Sequence, residues 1–332
     1  METGEALFVR RLSHQPVVSY GSVPGYGAVF NAGLLHQDGV YHMFARAVRL
    51  GYVRNTDPLG ARFLNYISDI VVLTSYDGVS YEYKYVLGSA GSAGVDCYED
   101  ARVQKVGDGR GGESIVMTYT NLPESGRGEP WHIGAHYLDW DGDRFHLRGD
   151  TTNLGPSGIE NKDAVIFNLE DGRVALVHRV HPNMQIAVFD NLDDLWSADD
   201  AYWGPYLQEL DEHVILRCPE GSRGIGAGAP MVETDRGLVM FFHETLGDGT
   251  YVARAALLDP STGRPRSCPG VTILSPETPW ELNGDVDRVV FVQGACVVSE
   301  QVYLLYGAAD SCVGAAMVDL SALLDVFESA GV

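Results

Sequence analysis

A short apolar run recurs five times along the 332 residues of the chain. When one residue of each run is set equivalent, successive runs lie 74, 59, 64 and 64 residues apart. Spacing this regular indicates that one structural unit of roughly 65 residues is repeated. The runs are VYHMFARA (40–47), SIVMTYTN (114–121), RVALVHRV (173–180), GLVMFFHE (237–244) and QVYLLYGA (301–308).

Each unit contains more than one strand. A second apolar segment precedes each run and a third follows it, and Gly, Asp and Asn separate them. Short strands divided by turn residues are typical of all-β proteins, and few segments have the periodicity of a helix. Five units of three or four strands predict a five-bladed β-propeller formed by one domain over residues 1–332, rather than a sandwich or a two-domain β protein.

The repeat also predicts where the active site lies. In a propeller the first strand of each blade lines the central channel, and the strand ends supply one shared pocket. Polar and charged residues recur at these ends, so we expect the active site in the channel. The first strands open on Asn31, Asp100, Lys162 with Asp163, Gly228 and Phe291, and the next strands end on Arg46, Thr120, Arg179, His243 and Gly307.

Two kinds of chemistry follow from these positions. Lys162, Arg179 and His243 would each suit a surface or structural role alone, but together they favour binding of a small anion such as phosphate. Asp100 suits a general acid in a channel of low dielectric constant. It also suits a salt bridge with Arg102, because strand alternation puts residues 100 and 102 on one face. The residues alone leave both roles of Asp100 open.

The composition excludes several classes of partner. The formal charge is -22, from 45 acidic and 23 basic residues, which argues against nucleic acid and anionic membranes. No apolar stretch approaches the roughly 20 residues that a membrane span needs. The first sixteen residues lack the apolar segment of a secretory signal. We therefore expect a soluble cytoplasmic protein.

The cysteines and histidines do not predict a metal site. The five cysteines form no C-x-x-C motif, which suits reduced thiols, and Cys97 is assigned to packing. The acidic stretch at 139–143 is interpreted as a turn, and HIGAH (132–136) as a strand that separates its two imidazoles.

Several motifs, taken in order, resemble glycoside hydrolase family 130. The similarity runs from about residue 28 to residue 318. This resemblance implies a five-bladed propeller that acts on β-mannosides, in most members as an inverting phosphorylase and in some as a hydrolase. The motifs are FNAG at Asn31, YEDARV at Asp100, NKDAVIF with ALVHR, GIGAGAP leading to FFH, AALLD, and WELNGDV through YGAAD.

The resemblance assigns roles to individual residues. Asp100 becomes the general acid, and phosphate as nucleophile makes the second carboxylate of an inverting hydrolase unnecessary. The implied ligands are a β-mannoside and inorganic phosphate as co-substrate, with no cofactor and no metal, and a homo-oligomer is left open. Contacts to the mannosyl unit would come from Asn31, Arg46, Arg102 and Asp310, and contacts to phosphate from Lys162, Arg179, His243 and Tyr251.

The sequence departs from the family pattern at several positions. Ala101 replaces a proline, Gly224 stands where a basic residue is common, and Glu244 stands where many members have glycine. Glu244 or Glu281 could serve as a base for water, so an inverting β-mannoside hydrolase is the main alternative. A carbohydrate-binding propeller without catalysis is the second. Loops 48–66 and 121–131 are expected at the channel rim, where they would decide linkage and acceptor.

Overall fold

The computed structural model describes residues 8–57, 61–92, 95–122 and 130–330. Its strands form five antiparallel blades and one small hairpin. Strand β1 is Val9–Arg11. Blade 1 consists of β2 (Tyr26–Gln37), β3 (Val40–Arg49), β6 (Ser68–Ser75) and β7 (Glu82–Gly88), and the hairpin of β4 (Val53–Arg54) and β5 (Phe63–Leu64) lies between β3 and β6 in the chain.

The other blades follow the same order. Blade 2 consists of β8 (Tyr98–Gly107), β9 (Glu113–Asn121), β10 (His132–Trp140) and β11 (Phe145–Leu154). Blade 3 consists of β12 (Lys162–Asn168), β13 (Val174–Arg179), β14 (Met184–Phe189) and β15 (Val214–Leu216). Blade 4 consists of β16 (Gly224–Ala227), β17 (Val232–Thr234), β18 (Gly237–Thr245), β19 (Tyr251–Leu258), β20 (Pro265–Ser267) and β21 (Thr272–Leu274). Blade 5 contains β22 (Val290–Val298), β23 (Gln301–Ala308) and β24 (Cys312–Asp319).

Helices are few and short. They are α1 (Leu192–Trp196), α2 (Asp200–Gln208), a 3-10 turn (Leu210–His213), α3 (Pro279–Leu282) and α4 (Leu320–Ser329). The longest helix, α4, has 10 residues, and no helix within the described ranges has the length and apolar character to cross a bilayer.

The predicted five-bladed propeller is confirmed. The first strand of each blade lies at one edge of its sheet. These first strands contact one another around the molecule: β2 contacts both β22 and β8, and β12 contacts both β8 and β16. The five first strands therefore surround the centre, and no further strand of the described residues pairs with their inner edges.

Apolar side chains fill the spaces between neighbouring blades. Phe44 of blade 1 packs in one buried cluster with Met117 of blade 2, and Phe241 of blade 4 packs in another with Tyr306 of blade 5. Three further clusters join blades 2 and 3, blades 3 and 4, and blades 5 and 1. Burying each such side chain contributes about 1.5–3 kcal/mol, so the blades are held to each other by hydrophobic packing.

Blade 5 is assembled from both ends of the chain. Strand β1 pairs with β24, with Val9 opposite Val318 and Arg11 opposite Ala316. Arg11 donates from Nε and Nη2 to the two oxygens of Glu281, at 2.8 and 3.0 Å. This pairing closes the ring of blades without a covalent link.

Candidate active site

The first strands carry β-bulges where they enter the channel. Asn31, Asp100 and Asp163 have φ angles of 45, 55 and 58°, which are unusual for residues other than glycine. The strand register shifts at each of these positions. Such backbone costs about 1–3 kcal/mol per residue and is concentrated at functional sites. One polar residue from each of the first three blades is held in this way.

The carboxyl group of Asp100 is held through one oxygen. Oδ1 accepts hydrogen bonds from Asn31 Nδ2 at 2.9 Å and from Arg46 Nη1 at 3.2 Å. No described residue donates to Oδ2. The Asn31 Oδ1 atom is buried without a partner in the described part of the chain. The site therefore offers one free carboxyl oxygen to a ligand.

Arg46 is fixed by several groups. Its Nη2 donates to Glu99 and to the hydroxyl of Tyr66, and its guanidinium carbon lies 4.7 Å from the ring centroid of Phe30 and 5.2 Å from that of Tyr66. Burial raises the pKa of Glu99, although the charge of Arg46 opposes this. The sequence did not reveal the role of Glu99, because its partner lies on another blade.

Asp310 joins this cluster from blade 5. Its φ of 50° is again left-handed. The pKa of Asp310 is raised to about 7. Desolvation is the main cause; the charge of Arg46 lowers the pKa, and the charges of Asp100 and Glu99 raise it. Three carboxyl groups thus act on one another around one buried guanidinium.

Arg102 does not contact the Asp100 carboxylate. The bulge breaks the alternation that predicted such a pair, and Arg102 Nη1 donates instead to the main-chain oxygen of Asp100 at 2.9 Å. Its other donors bind Asp163 Oδ1 at 3.1 Å and the carbonyls of Ala227 and Gly228 at 2.7 and 2.9 Å. Arg102 is 0 % exposed. A direct contact between Arg102 and sugar, as the resemblance implied, is therefore incompatible with this placement.

The predicted phosphate-binding cations surround a carboxylate. Asp163 Oδ2 lies 3.2 Å from Arg179 Nε and 3.8 Å from His243 Nε2. Lys162 pairs with Arg179 across β12 and β13. Burial alone would raise the pKa of Asp163, but the positive charges of Arg179, Arg102 and Lys162 hold it well below its usual range.

His243 is neutral in this environment. Burial lowers its pKa to about 3, although Asp163 opposes the shift. The imidazole lies against the rings of Phe291 and Tyr251, with centroids 4.3 and 5.9 Å away. A side chain on Gly226 would clash with both Asp163 and His243, so glycine is required at that position. His243 therefore offers hydrogen bonds to an anion rather than a full charge.

Lys162 lies at the outer side of this group. Its Nζ lies 4.3 Å from the ring centroid of Trp131, which is 37 % exposed. This cation–π contact fixes the ammonium of Lys162, whose partner on the neighbouring strand is Arg179. The structure thus brings together all four residues assigned to phosphate by resemblance.

Glu244 and Glu281 occupy other environments. Glu244 Oε2 accepts from Arg254 Nε at 2.8 Å, and its Oε1 accepts from Ser222. Glu244 follows His243 on β18, so the two side chains point to opposite faces of the sheet. Glu281 is 0 % exposed and accepts from Arg11 and, at 2.8 Å, from the hydroxyl of Tyr306. Neither carboxylate is placed as a free base.

Cys97 has a structural environment. The residue is buried, and its sulfur lies 3.0 Å from Ser68 Oγ. Burial raises the pKa of this thiol, so it stays protonated. The other four cysteines are also free. In residues 8–57, 61–92, 95–122 and 130–330, no group of three His, Cys, Asp or Glu side chains could hold a metal ion.

The two expected rim loops are described in part. Residues 58–60 and 123–129 lie outside the described residues. In loop 48–66, Tyr66 contacts Arg46, while the hydroxyl of Tyr52 donates to Asp285 of the loop before blade 5. This loop therefore connects blade 1 with blade 5 beside the cluster around Arg46.

Comparison with known proteins agrees with this arrangement. A family model described as beta-1,4-mannooligosaccharide phosphorylase matches residues 7–329. A beta-1,2-mannobiose phosphorylase of Thermoanaerobacter sp. is 29% identical over 317 residues, which cover 93% of this chain and 96% of the relative. A 1,2-beta-oligomannan phosphorylase of the same organism is 27% identical over 324 residues, with coverage of 94% and 97%.

The fold is found in solved structures as well. The beta-1,2-mannobiose phosphorylase of Listeria innocua, solved in complex with beta-1,2-mannobiose, superposes with a TM-score of 0.76 at 20% identity, covering 97% of this chain and 99% of that one. The match of the family model spans nearly the whole chain, and so do both relatives. The chain belongs to glycoside hydrolase family 130.

Proposed function

We propose that the protein is an inverting β-mannoside phosphorylase, which cleaves a β-mannosidic bond with inorganic phosphate and releases α-mannose 1-phosphate. Its family and the names of its relatives support this activity. The observation that carries the proposal is one channel in which a carboxyl group with a free oxygen stands beside a buried cationic pocket. Inorganic phosphate is a co-substrate, and the reaction requires no cofactor.

Asp100 acts as the general acid. Its Oδ2 carries the proton that passes to the glycosidic oxygen, directly or through a sugar hydroxyl, as the bond to the anomeric carbon breaks. The electron pair of that bond goes to the leaving oxygen. The carboxylate that remains on Asp100 is stabilised by Asn31 and Arg46, which already donate to Oδ1.

Phosphate attacks from the opposite face of the sugar. One of its oxygens forms the new bond to the anomeric carbon, so the configuration inverts. Lys162 and Arg179 supply positive charge, and neutral His243 supplies a hydrogen bond. Arg102 is buried behind the pocket and forms an ion pair with Asp163, with 3.1 Å between Nη2 and Oδ1. The positioned anion replaces water as the nucleophile.

Hydrolysis is less well supported. An inverting hydrolase needs a carboxylate that activates water, and Glu244 and Glu281 are both engaged by arginines, Arg254 and Arg11. The combination of a carboxyl group with a free oxygen and a cationic pocket in one channel favours catalysis over binding alone. Neither alternative has a specific observation in its favour.

The test is an assay on β-1,2- and β-1,4-linked mannobiose with and without inorganic phosphate. The names of the relatives make the β-1,2-linked sugar the first substrate. Phosphorus NMR follows mannose 1-phosphate and its anomeric form, and a separate assay follows free mannose. We expect α-mannose 1-phosphate only when phosphate is present, and a loss of at least 1000-fold, of the order expected for removal of an essential acid, in Asp100→Asn.

A matched control uses a carboxylate outside the channel cluster. Asp287→Asn changes the charge equally on the exposed loop before blade 5, where Asp287 accepts from the Gly284 main chain at 3.2 Å. It should retain the wild-type rate. Release of mannose at the same rate without phosphate would overturn the phosphorylase proposal.

A further inference from the structure

The bulge that presents Asp100 leaves two main-chain carbonyl groups outside the strand ladder. The register of β8 against β9 shifts at this point, so Asp100 and Ala101 fall outside the regular pairing. Buried carbonyl groups in native proteins are normally bound by another group. Here side chains supply the donors: Arg102 binds the carbonyl of Asp100 at 2.9 Å, and Gln293 binds that of Ala101 at 2.8 Å.

Gln293 reaches this bulge from blade 5. Its Nε2 donates to the carbonyl oxygen of Ala101, although the two residues are 192 positions apart in the chain. The register of β22 also shifts at Gln293, between Val292 and Gly294. The side chain is 0 % exposed. An amide carried by a bulge of blade 5 thus holds a bulge of blade 2.

This contact restrains the backbone that carries the Asp100 side chain. A peptide unit is planar, so binding its oxygen fixes the orientation of the whole unit. Arg102 holds the first peptide unit after Asp100, and Gln293 holds the second. Blade 1 approaches the same oxygen of Ala101, since a Cβ on Gly33 would lie 2.6 Å from it. Ala101 has no ring that would fix its own φ, so its conformation depends on these contacts.

Gln293 is not the side chain that would stabilise this position best. Its Oε1 is buried and has no partner in the described part of the chain. A buried amide oxygen without a donor costs free energy, which an apolar side chain of similar size would avoid. The hydrogen bond to Ala101 therefore explains this residue better than packing does.

We propose that Gln293 is a positioning residue for the general acid, which holds the bulge so that Oδ2 of Asp100 faces the glycosidic oxygen. The identity of the reaction rests on the function proposed above. Described residues bind the Asp100 carboxyl group through Oδ1, so the direction of Oδ2 follows that of the backbone. A displacement of about 1 Å at a reacting group can cost up to about 100-fold in rate.

The substitution Gln293→Met tests the proposal, because methionine is similar in length but has no donor. Two substrates separate the positioning of the acid from general damage. Mannobiose needs a proton on its leaving oxygen. The fluoride ion of β-mannosyl fluoride leaves with the electron pair of the C–F bond and depends much less on an acid. We expect the kcat of phosphorolysis to fall about tenfold for mannobiose, with KM within about twofold, and to stay within about twofold for the fluoride.

The matched control is Gln104→Met. Gln104 is also a buried glutamine, it lies on the same strand as Asp100, and neither of its amide atoms has a partner among the described residues. This control should keep the wild-type ratio of the two rates. An equal loss on both substrates in a folded Gln293→Met variant, or no loss on either, would overturn the proposal. If circular dichroism shows that this variant does not fold, Gln293→Asn, whose amide is withdrawn by one methylene, takes its place with the same expectation.

Crystal structures test the positioning without any turnover. In Gln293→Met, Oδ2 of Asp100 should move by more than about 0.5 Å from its wild-type position, which is about the tolerance of a catalytic group. A position unchanged within this limit would overturn the proposal even if phosphorolysis is observed. If wild type phosphorolyses neither substrate, the proposed function fails, and the two structures still decide the role of Gln293.

Discussion

Replacing Asp163 by asparagine should destabilise the protein strongly. The side chain is 2 % exposed and pairs with Arg102 and Arg179 at 3.1 and 3.2 Å. Asparagine keeps the shape but leaves Arg102, which is 0 % exposed, without a counter-ion. Breaking a buried pair from one side costs about 3–5 kcal/mol. Because three main-chain carbonyls still bind Arg102, we expect the lower end, about 3 kcal/mol.

Urea unfolding at pH 7.5, followed by circular dichroism and tryptophan fluorescence, measures this difference in the free energy of unfolding. The pKa of Asp163 is depressed in the folded protein, so its contribution is complete above the unfolded pKa, about 3.9, and is lost only as the pH falls below that. The control is Asp139→Asn, because Asp139 pairs with Arg148 at 49% and 57% side-chain exposure. It should cost less than about 0.5 kcal/mol. Equal costs for the two variants would refute the reasoning.

Three further predictions concern single positions. Gly307→Ala would place a methyl group against Asn31, so kcat/KM should fall about tenfold or more, and an unchanged value would show that Asn31 need not be held there. Cys97→Ala should retain activity within about twofold, whereas a large loss would give the thiol a chemical role. Burial lowers the pKa of His178 and His243 to about 3, so below about pH 6.5 the unfolded chain binds more protons and the folded state loses stability. In urea unfolding between pH 6 and pH 4, the free energy of unfolding should decline by up to about 1.4 kcal/mol per pH unit for each histidine. His178→Gln should remove the part of this decline that is due to His178.

The repeat was enough to predict the blades and the strand ends that meet in the channel. The register confirms the equivalence, since Arg46 lies opposite Phe30 and Arg179 opposite Lys162. A pattern of period two could not predict the bulge at Asp100, because an extra residue reverses the direction of every following side chain. For that reason the salt bridge between Arg102 and the Asp100 carboxylate, which the sequence left open as an alternative, is not formed, and Arg102 pairs with Asp163 instead.

The partners of Glu99, Glu244 and Glu281 were also beyond sequence reasoning. Glu99 binds Arg46 of another blade, and Glu281 on α3 binds Arg11 of β1. Glu244 binds Arg254 on the neighbouring strand of its own blade. The first two pairs depend on how elements distant in the chain pack together, and the third depends on the register of a hairpin, neither of which composition encodes. The three-dimensional structure was therefore needed to distinguish a general acid in the channel from carboxylates that form structural ion pairs.

The pairing of β1 with β24 determines how the protein must fold. Val9 meets Val318, so the outer strand of blade 5 cannot find its partner until almost the whole chain has been synthesised. Closing a loop of this length costs conformational entropy before any contact compensates for it, which slows the final step. Until β1 pairs with β24, the free edge of β24 is open to pairing with another chain. We expect ring closure to be the slowest folding step and the stage at which aggregation competes with it.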